Sequence, residues 1–453
     1  MEKYILDFTS LFVIIAIVGL SCEGIVNSIL SCLNNIKFNI SEQIEKVKNI
    51  HPLLKENIKD ETIQKMFSYQ NSHTFLGYSS NKFERAIKIP LILFGVFAFA
   101  FHFIDQNVNL DMPGKILILS TVYSIFAMII NLPASIFSTF KLEKSYGYST
   151  TTVSTFISDI VKNFFVNLVV SGCVIYAVHY LLQFTLSING MIIQDHIINP
   201  IIIIGLLIAI QLFCAVYQAV WMYFIAPIFN KFSKLEDGEL KTKITDIVNK
   251  SGRKLSQIYI IDESRRSNHM NAYCATIPFS KVTKIVIYDT LIKNLTTDEI
   301  VAIFAHELTH MKNHDCTKNT IYSIIPQIIT ALIICFFAID PKLYQAFGLY
   351  WIDSTNVKEY ILIGIGLVSF LLSSIMWILT PLEAWLSRKM EYKADAGACE
   401  LMGSNDAIIT GLIKLHLKEN SDYLVHPFME AWYYGHPALQ NRIKALQNIK
   451  LEK

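Results

Sequence analysis

Seven apolar runs without charge divide the chain: Phe8–Cys22, Ile89–Ile104, Ile116–Phe140, one within Asn163–Gln194, one within Ile197–Asn230, Asn319–Ile339 and Tyr360–Leu382. A helix crosses a bilayer with about 20 apolar residues, so each run predicts a membrane span. The second run is short. The fourth and fifth exceed one bilayer thickness, so their ends should project or bend. Pro326 falls inside the sixth; neighbouring helices can re-satisfy the backbone it frees. The first run also has the place of a signal peptide. Glu2 offsets Lys3 and no small-residue cleavage site follows, so the run is expected to be retained as a helix.

Polar segments fill the gaps. Residues 23–88 carry SEQIEKVKNIHPLLKENIKDETIQKMF, a charged stretch with helical character. Residues 231–318 form the largest polar block. Within it, QIYIID (257–262), NAYCAT (271–276) and KIVIYD (284–289) are short and rich in β-branched and aromatic residues, which predicts a small sheet. Thr296 and Glu299 precede the series Ile300, Val301, Ile303 and Phe304. They fit a capping box, and Asp298 adds negative charge to the first turn. A helix should therefore begin near 297. The fold class is an all-α polytopic membrane protein with a small β-sheet. Its parts are an N-terminal membrane region (1–230), a polar region with the sheet (231–318), the last two spans (319–382) and a C-terminal helical tail (383–453).

Composition agrees. Of 453 residues, 53% are hydrophobic and 17% charged, against about 25% charged in soluble chains. The net charge of +2 gives no general attraction to nucleic acid, and none is expected as a partner. The eight Cys are scattered without a CxxC pair, so neither a disulfide framework nor a cysteine metal site is predicted.

The candidate chemistry begins at His306-Glu307-Leu308-Thr309-His310. On a helix, His306 and His310 lie one turn apart on one face, where a tetrahedral zinc takes two nitrogens. Glu307, beside them, can take a proton from water and deliver it to a leaving amine. The bare pattern arises by chance in about one chain in a hundred, so a third ligand decides. His314 does not fit the metzincin spacing, because Asn313 stands where that pattern needs Gly. Glu391 and Asp395 are one turn apart after the seventh run. One can ligate while the other orients a ligating His, although a solvated charged face is the simpler reading of that spacing alone. His436 and Arg442, in HPALQNR, are candidate oxyanion donors; alternatively His436 is a surface residue with Pro437 at a helix start.

HELTH, then SRKMEYKADAGA, then HPALQNR resembles the Ste24 family, the type I CAAX prenyl proteases of the M48 group. EKSYGYSTTTVSTFISDIVK (143–162), APIFNKFSKLEDGEL (226–240), SNHMNAYCATIPFSKVTKIVIYDTLI (267–292) and LYQAFGLY (343–350) resemble further family segments. The likeness runs from about residue 55 to the end, and residues 1–54 match least. It implies seven helices around a water-filled intramembrane chamber, and one zinc per chain held by His306, His310 and Glu391. It makes Glu307 the catalytic base, gives Asp395 a supporting role, and offers His436 and Arg442 as stabilisers of the tetrahedral intermediate. Asn271 and Ala272 fall where the family pairs its substrate as an added strand. The implied reaction is release of the C-terminal tripeptide from a prenylated CAAX protein, by a monomer in the endoplasmic reticulum membrane. Two alternatives stay open: a quality-control membrane metalloprotease without prenyl requirement, and a non-catalytic client-binding chamber. Thr309 departs from the glycine common there and is expected to narrow the cleft. Met270 and Cys274 are further departures in the sheet.

Overall fold

The computed structural model describes residues 6–35, 40–189, 217, 220–252, 254–275, 282–421 and 423–450. Among the described residues, five helical stretches are long and apolar enough to cross a membrane: Leu11–Asn34, Met112–Ser145, Val153–Phe184, Asp315–Phe337 and Val357–Met402. A sixth is a bent pair. Helix Asp60–Leu93 meets helix Val96–Asn107 at 59°. The run Ile89–Ile104 is therefore not one straight span, and its residues show why. Pro90 lies in the last turn of the first helix, and Gly95 begins the second at φ 66°, in the left-handed region open to glycine. Most of the fifth predicted run lies outside the described residues. Pro326 interrupts nothing: its helix is continuous from Asp315 to Phe337.

The first helix continues past Cys22 to Asn35. Glu23 is the one charge over that extension, and it is paired with Arg85 at 3.1 Å. The polar stretch that follows is helical, as Ile40–Lys48, Pro52–Asn57 and the start of Asp60–Leu93.

The sheet has four strands: β1 Phe232–Lys234, β2 Lys254–Ile261, β3 Ala272–Ala275 and β4 Val282–Tyr288. Their order is β1-β2-β4-β3. β2 and β4 run parallel, with Tyr259 opposite Val286, while β1 and β3 are antiparallel edges. The three predicted strands are present. β1 adds a fourth, too short for alternation to announce it.

Two cores form. One sits on the membrane helices around Phe101, Tyr344 and Val368. Tyr344 is fully buried, and its hydroxyl donates to Ala338 O (2.6 Å) and Tyr360 O (3.1 Å), tying the LYQAFGLY loop to the last span. The other core joins Ile285 and Ile287 of β4 to Phe304 and Leu308 of helix Thr297–Lys312 and to Ile443 near the C-terminus. Burying such side chains contributes roughly 1.5–3 kcal/mol each. That core fixes the helix carrying HELTH against both the sheet and the tail.

Candidate metal centre and active site

The HELTH helix spans Thr297–Lys312. Its start is the predicted capping box: Thr296 N donates to Glu299 Oε2 (2.9 Å) and Glu299 N to Thr296 Oγ1 (3.4 Å). Lys414 Nζ, 2.7 Å from Glu299 Oε1, neutralises the buried carboxylate. Glu391 and Asp395 stand on helix Thr380–Met402, packed alongside. Thr309 narrows no cleft. It is buried between the two helices, where Gly397 leaves room for its methyl group.

His306 and His310 face each other with Nε2 atoms 3.1 Å apart. Each Nε2 is 3.3 Å from a different oxygen of Glu391. The outer nitrogens are both engaged. His306 Nδ1 donates to Asp395 Oδ1 and His310 Nδ1 to Asp315 Oδ2, each at 2.9 Å. With the protons held at Nδ1, both Nε2 lone pairs point inward at the carboxylate. Three electron-pair donors thus converge within 4.8 Å, and among the described residues this is the one such group. Glu391 is buried, with Oε2 3.3 Å from His306 Nε2 and Oε1 3.3 Å from His310 Nε2. These features fit a metal cation, which removes the repulsion between facing lone pairs. Burial works against a charged His306, but hydrogen bonds to Asp395 and Glu391 outweigh it and push the ring up to about 9. His310 is shifted upward as well: burial opposes, Glu391 prevails. The surroundings favour positive charge at this point.

Of the remaining predicted residues, Glu307 is half-buried on the same helix. His436 is 73% exposed, yet its Nδ1 lies 2.8 Å from Glu391 Oε2, so it is no distant surface residue. Pro437 does not open a helix either; helix Leu439–Gln447 starts after Ala438. Arg442 is buried and donates Nε to Asp395 Oδ2 (2.9 Å) and a terminal nitrogen to Oδ1 (2.6 Å). Its fork is committed to Asp395, which in turn orients His306. Asn271 is exposed and its carbonyl accepts from Tyr288 N (3.0 Å). Ala272 opens β3, an edge strand paired on one side by β4. His314 is exposed and outside the donor group.

Sequence reasoning missed Asp315. The signal was local. His314, at φ 56°, breaks the helix and turns the chain so that the next carboxylate reaches back to His310. It also missed Glu430, which is held against the link that carries His436.

Comparison with known proteins agrees with this architecture. The M48 peptidase family model matches residues 234–450, and the model for the CAAX prenyl protease N-terminal region, five membrane helices, matches 42–231. A curated CAAX prenyl protease 1 from Saccharomyces cerevisiae is 30% identical, over 89% of this chain and 89% of its own. A CAAX prenyl protease 1 homologue from Homo sapiens is 26% identical over 89% of each chain. The crystal structure of S. mikatae Ste24p superposes with a TM-score of 0.82 at 27% identity, covering 96% of this chain and 99% of that one. A multi-pass membrane chain with a His-His-Glu group able to hold a metal and this likeness is a metalloprotease, and it belongs to the CAAX prenyl protease 1 family of M48 peptidases.

Proposed function

We propose that this chain is a zinc endopeptidase that removes the C-terminal tripeptide from prenylated CAAX proteins in the endoplasmic reticulum membrane, acting as a monomer with one zinc. The observation that carries the reading is the convergence of His306, His310 and Glu391 on one point beside membrane-spanning helices. Zinc bonds of about 2.0–2.2 Å in a tetrahedron separate ligand atoms by about 3.3 Å; here the two Nε2 atoms are 3.1 Å apart and each is 3.3 Å from its own oxygen of Glu391. When bound, zinc would polarise the scissile carbonyl and make water acidic enough to attack at neutral pH.

The chain's own residues do the rest. Glu307 takes the proton from the attacking water and returns it to the leaving amine. Asp395 and Asp315 keep the two imidazoles turned inward. His436, open on one side of the site, donates to the developing oxyanion. Arg442 serves that step indirectly, by holding Asp395. The exposed side of β3 offers backbone groups to an extended peptide, and pairing there would lay the substrate beside Asn271 and Ala272. A prenylated peptide has an apolar tail and a polar end, which suits a site beside membrane helices.

The test uses detergent-solubilised protein, a farnesylated peptide ending in a CAAX sequence, and mass-spectrometric detection of the tripeptide. Release should need the farnesyl group. It should also fall by roughly 10²–10⁴-fold in Glu307→Gln, with metal retained. Equal cleavage of an unprenylated peptide would replace this reading with a general membrane protease.

A further inference from the structure

His436 stands on the link Tyr434–Ala438 between helices Pro427–Tyr433 and Leu439–Gln447. An exposed side chain on a link has many positions open to it, and fixing one costs conformational entropy. The structure shows where the restraint comes from. At the entry, one Arg388 terminal nitrogen donates to Glu430 O (2.7 Å) and Tyr434 O (2.8 Å). These carbonyls lie at a helix end: Glu430 O also accepts from Tyr434 N (3.2 Å), and Tyr434 O lies just past the last helical residue. Arg388 sits three residues before Glu391, on the same face of the same helix. In the middle, the link runs close to that helix: a Cβ on Gly435 would stand 3.1 Å from Ser387 Oγ. At the exit, Glu430 Oε1 accepts from Ala438 N (3.0 Å), and its two oxygens accept from Asn441 Nδ2 at 3.1 and 3.0 Å. The helix carrying Glu430 is itself anchored. His426 N donates to Asn34 Oδ1 of the first membrane helix (3.1 Å), and Tyr433 OH bonds Asn27.

We propose that Arg388, Glu430 and Asn441 are positioning residues for the hydrolysis: they bracket the link and hold His436 over the Glu391 carboxylate. None of the three reaches the metal donors. They act through the imidazole, and the proposal rests on the reading of His436 as oxyanion donor. The bracket ties the link to the helix that supplies Glu391, so donor and ligand move as one unit.

The test is a kinetic double-mutant cycle on the metal-loaded full chain with the farnesylated peptide. His436→Ala should lower kcat by roughly 10²-fold. Glu430→Ala should lower kcat by about tenfold with KM within about twofold, and the double variant should be no slower than His436→Ala alone. Losses that multiply would show that Glu430 acts elsewhere and would overturn the bracket alone. A His436→Ala variant with full turnover would overturn the oxyanion reading and the bracket with it.

A second pair guards against misfolding, because it changes no side-chain volume by much. Asn441→Asp sets a carboxylate against Glu430 and should slow turnover as Glu430→Ala does. Adding Glu430→Gln reverses donor and acceptor and should return kcat to within about threefold of the parent. Failure of that rescue in metal-loaded protein overturns the bracket, even where Glu430→Ala does not fold.

Discussion

Thr309 of the HELTH helix occupies the space left by the missing side chain of Gly397. A Cβ on Gly397 would stand 2.3 Å from Thr309 Cγ2 and 2.8 Å from Oγ1. The Thr309 hydroxyl is turned back to Ala305 O at 2.8 Å, so the methyl is the packing group. Gly397→Ala should destabilise the fold by about 1–3 kcal/mol through overpacking, read as a lowered melting temperature in detergent. Thr309→Ala in the same chain should recover most of that loss. A Gly397→Ala protein that melts like the parent would show that the helices can move apart without cost.

The same pair marks how far the sequence could be read. The helix beginning at 297 and the His306–His310 face followed from caps and spacing, because both are local. The carboxylate that turns His306 inward is one of the pair Glu391 and Asp395 that the spacing offers. The one that turns His310 is not legible: Asp315 reaches it around the left-handed turn at His314. Arg442 is a candidate oxyanion donor by sequence, and its bidentate bond to Asp395 is set by packing between helices distant in the chain. The bend at Phe94–Gly95 was hidden because Pro90 and Gly95 both fall within an uninterrupted apolar run. From sequence alone Thr309 is expected to narrow the cleft, because its partner Gly397 is far away in the chain.

Asp395 balances Arg442 and orients His306 at once, and the two tasks can be separated. Asp395→Asn leaves the buried Arg442 without its main counter-charge, which should cost about 3 kcal/mol of stability. It should also weaken metal binding by about 10–100-fold, since an orienting carboxylate is lost. Adding Arg442→Met should restore much of the stability but not the metal affinity. Melting curves report the first quantity and competition with a chromophoric chelator the second. Equal recovery of both would mean that Asp395 matters only as a counter-ion.

Metal removal should be felt by the fold as well as by turnover. A ligand bound only to the folded chain stabilises it by about 4 kcal/mol at a thousandfold excess over its Kd. Without the ion, His306, His310 and the Glu391 carboxylate face one another with no cation to join them. Dialysis against 1,10-phenanthroline should abolish tripeptide release and lower the melting temperature, and added Zn²⁺ should restore both. A melting temperature indifferent to the chelator would move the metal out of the structural account.

His269 gives the polar part of the protein a pH-dependent joint. Its ring lies between two carboxylates. Nδ1 contacts Glu419 Oε2, and Nε2 is 3.3 Å from Glu143 Oε2. Tyr148 stacks on it with centroids 4.3 Å apart. Glu419 also accepts from Met270 N at 2.6 Å, immediately before the edge strand β3. Glu143 is shared with Tyr69 OH and with His73, whose Nε2 is 2.6 Å from Oε1. Burial opposes charge on His269, but the two carboxylates outweigh it and raise the ring from 6.5 to about 9. A group raised on folding stabilises fully below its unfolded value, and that gain is lost as pH climbs through the folded one. The window is therefore from about 6.5 to about 9. The side chain is 37% exposed, so solvent screening leaves about 1 kcal/mol of the contribution. Melting temperatures across this range should decline more steeply for the parent than for His269→Gln, which carries no titrating ring. Parallel profiles would show that the Glu143–His269–Glu419 joint does not hold a proton, and the tie between the membrane helices and the segment before β3 would then rest on bonds such as Asn268 N to Tyr148 O (2.8 Å) and Arg266 to Asp159.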